Sequence, residues 1–393
     1  MSSPGDIPTL PEHLYVHVPL CRTKCAYCDF FSLSRSDLPL SVDALTSALV
    51  NQACAWGERG LSMRPLQTLY VGGGTPSMLG AALAGLVDAI GTHIGFATGA
   101  EITVEANPDS IDDQLVSLLA EAGVTRVSLG VQSFHDDVLH TLGRAHDATR
   151  AIAAARSVRA WNLDLSVDLM CGIPGQSMGS WLASVEYAIA TGAGHVSVYP
   201  LSLESGTPLA AEMLLGRFAE PDPDVAADMM IAANEVLARE GFERYEVANY
   251  AKPGAQSRHN TAYWTGHEYL GVGPGAHGML TTATARAAGF IVPEDAARVR
   301  YAIACDLQTG LQPAPRADIE TLTAGEAARE DVMLGLRLTT GVDVALVERA
   351  GVAGLLGRLA GTGLVERSDD RWRLTEGGWL LGNEVFGDVW AGE

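Results

Sequence analysis

The chain has 393 residues, 47% of them hydrophobic, which is enough for a sizeable core and more than one domain. Its 26 Lys and Arg against 47 Asp and Glu leave a net charge of −21, which opposes general nucleic-acid binding and favours solubility. No apolar run approaches the roughly 18 residues of a membrane span, so only peripheral membrane contact is left open.

Leu14–Val18 reads as a short buried strand ending at Pro19, and a cysteine-rich loop follows it directly. Cys21, Cys25 and Cys28 stand at the spacing C-x3-C-x2-C. Thiolate is a soft ligand suited to zinc or an iron–sulfur cluster. Zinc sites usually close with a second C-x2-C knuckle, and none follows. Three thiolates on one loop can instead hold three corners of a [4Fe–4S] cube and leave the fourth iron open to a small molecule. Cysteines 54, 171 and 305 are isolated, so no disulfide framework is expected. The stretch from Met1 to Pro11 lacks the basic and apolar regions of a secretory signal, and a cytoplasmic location is expected.

Ser41 is an expected N-cap for a helix carrying Val42, Leu45, Leu49 and Trp56 at helical spacing. Leu66–Val71 is the next strand, ended by Gly72, Gly73 and Gly74, and Ser77 is placed as the cap of the following helix. Strand-like Glu101–Glu105, Arg126–Gln132, Leu163–Met170 and His195–Leu201 then alternate with helical stretches, and a further helix runs to about Arg239. Strands alternating with helices imply right-handed βαβ units and a parallel sheet. Six units are too few for a closed eight-stranded barrel and suit an open, partial (β/α)6 barrel, with sites at the C-terminal strand ends.

Candidate polar residues fall at those ends. Gly73, Gly74 and Thr75 let a ligand approach the backbone, since glycine adds no Cβ. Glu105, Gln132 and Asp168 each stand at the mouth of an apolar strand, where an acid or amide is costly unless paired. Capping of the next helix is the ordinary alternative for any one of them. Arg144 carries a planar cation suited to a bidentate carboxylate contact, or is a surface arginine.

Leu311–Arg316, with Pro313 and Pro315, is expected to be a linker. Three helices, around residues 326–337, 344–348 and 355–361, precede a hairpin, an order resembling a winged-helix module. Glu366, Asp369 and Asp370 sit among its arginines, so packing or partner docking is expected rather than nucleic-acid reading.

The cysteine loop after a first strand, followed by Gly72-Gly73-Gly74-Thr75-Pro76, resembles the radical S-adenosylmethionine superfamily. In that superfamily the open iron chelates the methionine part of S-adenosylmethionine, and electron transfer from the cluster yields a 5′-deoxyadenosyl radical. Tyr15-x-His17-x-Pro19-x-Cys21, Glu105-Ala-Asn-Pro, Leu129-Gly-Val-Gln-Ser-Phe, Leu142-Gly-Arg-Ala-His and Val167-Asp-Leu-Met are similar to the branch containing oxygen-independent coproporphyrinogen III oxidases. The resemblance implies that Cys21, Cys25 and Cys28 hold the cluster. It also implies that Tyr15, Tyr27, Gly73, Gly74, Thr75, Glu105, Gln132, Arg144 and Asp168 surround S-adenosylmethionine.

Two departures separate the chain from those oxidases. They carry a fourth cysteine where Phe30 stands here, and a longer arm before the cluster than the 20 residues preceding Cys21. Both features are similar to the sister group, the HemW-type haem chaperones. So is Arg258-His259-Asn260-Thr261-Ala262-Tyr263-Trp264. That resemblance implies haem ligation by His259, with His277 as the alternative, and packing of Tyr263 and Trp264 on the macrocycle. The ordinary alternative is a structural turn with a hydrogen-bonded histidine and core aromatics.

The expected organisation is a partial barrel with the cluster loop over 1–242, a family-specific segment over 243–315 and a winged-helix-like domain over 316–393. The expected function is haem binding and transfer to an acceptor protein. A radical enzyme acting on coproporphyrinogen III or another tetrapyrrole, and a purely structural cluster, are the alternatives.

Overall fold

The computed structural model describes residues 10–59, 61–62 and 64–392. The first nine residues, assigned above to the barrel and to the stretch lacking a secretory signal, lie outside the described residues. Among the described residues no helix is long and apolar enough to cross a membrane.

β1 (His13–Val18) leads into two-residue strands β2 (Leu20–Cys21) and β3 (Leu33–Ser34), whose parallel pairing pinches the cysteine loop at its base. The βα alternation then runs through α1 (Val42–Gly57), β4 (Leu66–Gly73), α2 (Ala81–His93), β5 (Phe96–Ala106), α3 (Asp113–Glu121) and β6 (Arg126–Gln132). It continues through α4 (Asp136–Thr141), α5 (Ala148–Ala160), β7 (Asp164–Cys171), α6 (Met178–Ala190), β8 (His195–Pro200), α7 (Pro208–Leu214) and α8 (Pro223–Arg239). The six expected strands pair in parallel in the order β1-β4-β5-β6-β7-β8. Their outward residues, among them Val16, Leu69, Val104, Val127, Leu165 and Val196, are buried under the helices. At roughly 2 kcal/mol for each such side chain, this layer supplies much of the drive for folding.

Ser41 caps α1 as expected, its Oγ accepting from the Ala44 N–H. Ser77 does not cap α2. Pro76 opens an earlier 3-10 turn, Pro76–Leu79, and α2 begins after Gly80, whose φ of 59° favours glycine. The Ser77 hydroxyl instead pairs with Ser110 Oγ at 2.6 Å and accepts from the Asn107 N–H, tying two loops together beneath the site.

Later elements extend the sheet at both edges. β9 (Glu243–Arg244) and β10 (Asn249–Ala251) add antiparallel strands beside β8. After α9 (Arg258–Trp264), β11 (Leu270–Val272) runs parallel to β1, giving a nine-stranded sheet. β12 (His277–Thr281), α10 (Thr282–Ala287), β13 (Ala296–Ile303), α11 (Leu307–Gly310) and β14 (Ala317–Thr323) build a separate antiparallel sheet. The loop 311–316 therefore joins two paired strands, from Ile303↔Ala317 to Ala296↔Thr323, where a linker was expected. Its prolines sit outside the ladder, where a missing N–H costs nothing.

The last segment comprises α12 (Ala324–Gly335), β15 (Val342–Asp343), α13 (Val344–Arg349), α14 (Ala353–Gly361), β16 (Val365–Ser368), β17 (Arg371–Leu374), α15 (Glu376–Leu380) and α16 (Gly382–Ala391). Three helices and the sheet β15-β17-β16 give the winged-helix-like order, with its own core of Val332, Leu336, Leu356 and Val389. Trp379 belongs to the barrel's core instead. Its Nε1 donates to the Val247 carbonyl at 2.7 Å, and the Arg244 guanidinium lies 4.2 Å from its ring centre.

Candidate cofactor site

Side chains alternate along a strand, so every second residue of the barrel strands faces inward. On β6 these are Arg126, Ser128, Gly130 and Gln132; on β7 Ser166, Asp168 and Met170; on β8 His195, Ser197 and Tyr199. A closed parallel barrel fills its interior with bulky branched residues. Here mostly polar residues, with Ser128, Gly130, Ser166 and Ser197 small among them, line a chamber of about 460 Å³ whose wall includes all three loop cysteines.

Cys21, Cys25 and Cys28 line the chamber beside Gly73 and Gly74. The loop is tied down by backbone bonds from Ala26 N–H to Leu142 O and from Leu209 N–H to Ala26 O. Among the described residues no three His, Cys, Asp or Glu side chains are gathered to hold a single metal ion. Three thiols lining one chamber are a soft donor set whose chemistry fits an iron–sulfur cluster. Burial raises the Cys21 and Cys28 thiols, whereas the Thr75 hydroxyl 3.6 Å from Cys21 Sγ favours thiolate. At Cys25, Arg144 Nη1 approaches the sulfur to 3.2 Å.

The glycine run is sterically required. A Cβ on Gly72 would stand 2.9 Å from Glu105 Cδ, and one on Gly74 2.8 Å from Leu20 O and 3.0 Å from Cys21 Sγ. Gly73 has a φ of 110°, and its N–H donates to Glu105 Oε2 at 3.1 Å. Tyr70 Oη donates to Oε1 of the same carboxylate at 2.8 Å. Burial, opposed by these two bonds and reinforced by nearby Asp168, pushes Glu105 up to about 7. Asp168 is also raised, chiefly by burial, while Ser197 and Ser128 hydroxyls hold it down. Two buried acids therefore face one chamber, a pair that suits a ligand bearing positive charge.

Arg144 is fixed through Nη2, which donates to Asn107 Oδ1 at 2.7 Å and Gly130 O at 2.6 Å. Its buried Nε has no partner among the described residues, a donor left for a ligand acceptor. Gln132 has a φ of 67° at a register shift between β6 and β7, a strained bulge that turns the strand end over the chamber. Tyr27, Gly73, Gly74, Thr75, Glu105, Gln132, Arg144 and Asp168 thus share one wall. Tyr15 does not reach it: it stacks behind Tyr70 and hydrogen-bonds His17 Nδ1 at 3.1 Å. Tyr70, Asn107, Ser128, Ser197 and Tyr199 also line the chamber without having been expected; the alternation of inward positions was the signal that would have found them.

The His259 segment borders the chamber through Ser257 and Asn260, but its expected haem residues point away from it. His259 is fully buried, its Nδ1 2.7 Å from Thr68 Oγ1 and its Nε2 2.7 Å from Tyr263 Oη. Burial pushes its pKa down to about 3, so the ring is neutral. It stacks on Tyr70 at 5.2 Å, and Glu101 fixes the start of α9 by accepting from the Arg258 and His259 N–H groups. Trp264 packs under the Arg337 guanidinium at 4.3 Å. None of His259, Tyr263 and Trp264 lines the chamber, and neither nitrogen of His259 is free to reach an iron in this conformation. His277 is exposed on β12.

Residues 15–188 match the Radical SAM superfamily, and residues 322–381 match the HemN C-terminal domain. The chain is 37% identical to the heme chaperone HemW of Mycobacterium tuberculosis, over 97% of this chain and 95% of that one. It is 34% identical to heme chaperone HemW of Bacillus subtilis, over 95% and 97%. The fold is similar to that of coproporphyrinogen III oxidase HemN from Escherichia coli, with a TM-score of 0.78 and 22% identity, covering 97% of this chain and 90% of that one. With relatives aligned over nearly its whole length, the chain belongs to the radical S-adenosylmethionine superfamily and, within it, to the HemW family.

Proposed function

We propose that this protein is a haem chaperone, which binds haem and passes it to an acceptor protein. It carries a [4Fe–4S] cluster on Cys21, Cys25 and Cys28 and S-adenosylmethionine in the adjoining chamber. The observation that carries the reading is the full-length similarity to proteins named heme chaperone HemW, together with Phe30 where the oxidase pattern has a fourth cysteine. Phe30 is 63% exposed at the chamber's lip, an apolar surface beside the cluster loop.

The residues fit the two cofactors. The thiols suit the cluster, Glu105 and Asp168 suit an ammonium or sulfonium charge, and Arg144 Nε suits a carboxylate. When bound, the cluster supplies one electron to S-adenosylmethionine. The chain's own residues hold and orient: the bare Gly73 and Gly74 backbone admits the ligand, Tyr70 and Gly73 fix Glu105, and Asn107 fixes Arg144. A cytoplasmic setting fits the unpaired cysteines and the acidic surface.

An imidazole that ligates iron has to be accessible. The exposed His277 is therefore the first candidate, and His259 becomes the support beneath Tyr70. The test offers haem and coproporphyrinogen III in parallel to anaerobically reconstituted protein. Stoichiometric haem uptake and transfer to an apo-acceptor, without protoporphyrinogen formation, is expected. Porphyrinogen-dependent 5′-deoxyadenosine would establish the oxidase instead. His277→Ala is expected to alter the Soret band. If only His259→Ala does so, α9 must open and His259 is the ligand.

A further inference from the structure

We propose that the end of the barrel opposite the cysteine loop carries a second site, an anion site for a small molecule bearing phosphate or several carboxylates. A cavity of about 260 Å³ opens there, at the N-terminal ends of β6, β7 and β8. Three cations meet in its wall: Arg126 at the start of β6, Arg159 at the end of α5 and Lys252 just past β10. The wall holds one acid, Asp164, and among the described residues none of the three cations has a carboxylate within 4 Å. In a chain of net charge −21, such a concentration of uncompensated positive charge is a built feature.

Arg126 carries the argument furthest. It is only 4% exposed, and its one side-chain hydrogen bond among the described residues runs from Nη1 to the Ala255 carbonyl at 2.9 Å. A buried guanidinium is costly unless a negative group answers it. Neighbouring His195 does not: its ring nitrogens pair with Ser166 Oγ at 2.8 Å and Tyr245 Oη at 2.9 Å. Asp168 answers part of that charge from the upper chamber without closing an ion pair with Arg126. Arg126 also lines the upper chamber, so its guanidinium stands in the wall between the two cavities. Arg159 lies over Gly192, where its Nε would be 3.5 Å from a Cβ, so bare backbone forms the floor beneath it. Arg159 spends Nη1 on the Leu163 carbonyl at 3.3 Å and the Lys252 ammonium lies 5.1 Å from the Phe242 ring centre; the guanidinium N–H groups left over and the ammonium charge suit an oxyanion that accepts several hydrogen bonds at once.

The full-length chain, titrated calorimetrically at low ionic strength with pyrophosphate and separately with citrate, is expected to show one saturable event. The tighter of the two probes assigns phosphate or carboxylate chemistry. The double variant Arg159→Ala/Lys252→Ala is expected to weaken that binding about a hundredfold. Arg358→Ala, at an exposed position of α14, is expected to leave it unchanged, and iron content should stay at wild type throughout. Saturable binding by neither probe, or equal binding by wild type and double variant, overturns the proposal.

Discussion

Replacing Glu105 with Gln keeps the side chain's shape but removes a titration, and the structure fixes both sign and size of the result. The carboxyl stands at about 7 in the folded chain against an ordinary 4.5, a gap worth about 3 kcal/mol. A raised value means that the folded state holds the proton more tightly than the unfolded one. This contribution is complete below about pH 4.5 and is lost as pH rises to about 7. The groups facing Glu105 are Tyr70, Asp168 and the Gly73 N–H, and all remain in the variant. Gln has one acceptor where the carboxylate has two, so the Gly73 N–H loses its partner at a constant cost of about 1 kcal/mol. Histidines and the acids outside this chamber titrate alike in both proteins and cancel in the difference. Urea unfolding of wild type and Glu105→Gln at steps from pH 5 to 8 should therefore show wild type losing about 2.5 kcal/mol relative to the variant, then a plateau. Parallel stability curves would refute the placement of a desolvated acid in this chamber.

Three further outcomes follow from the same geometry. S-adenosylmethionine binding to wild type should tighten from pH 6 to 8, as Glu105 ionises to meet a positive ligand, and Glu105→Gln should flatten that dependence in calorimetry. Gly74→Ala should cost about 2 kcal/mol and depress iron incorporation, because its Cβ meets the Leu20 backbone and Cys21 Sγ; the assay is iron per folded chain after anaerobic reconstitution. Trp379→Ala should cost about 4 kcal/mol in chemical unfolding, since a fully packed indole and its bond to Val247 are removed together.

The parts of the molecule built from long periodic segments were legible in the sequence. The six parallel strands and their helices emerged from alternation, and Arg126–Gln132 appeared with its observed bounds. The chamber wall was legible where a polar residue interrupts an apolar strand end, as at Glu105 and Asp168. The short strands were not: Leu270–Val272 offers three residues, too few for a period, and its partner lies at the other end of the chain. The position of His259 was hidden for a different reason. Apart from Tyr263 on the same helix, its surroundings are supplied by Thr68, Tyr70 and Glu101, all distant in sequence, so local rules could not show that the imidazole is sealed in the interior. Ser77 had the composition of a cap but was claimed by Ser110, a tertiary partner that local rules do not contain.

The pairing of Leu14 with Leu270 bears on how this chain is made. The first strand leaves the ribosome early, yet one flank of it stays open until the segment that covers it has been synthesised. A nascent chain stalled before Leu270 carries a bare, apolar ribbon edge, the kind of surface that recruits holding factors or seeds self-association. The cysteine loop follows directly on that same ribbon, so the strand it hangs from is flanked on both sides only after Val272 has been made.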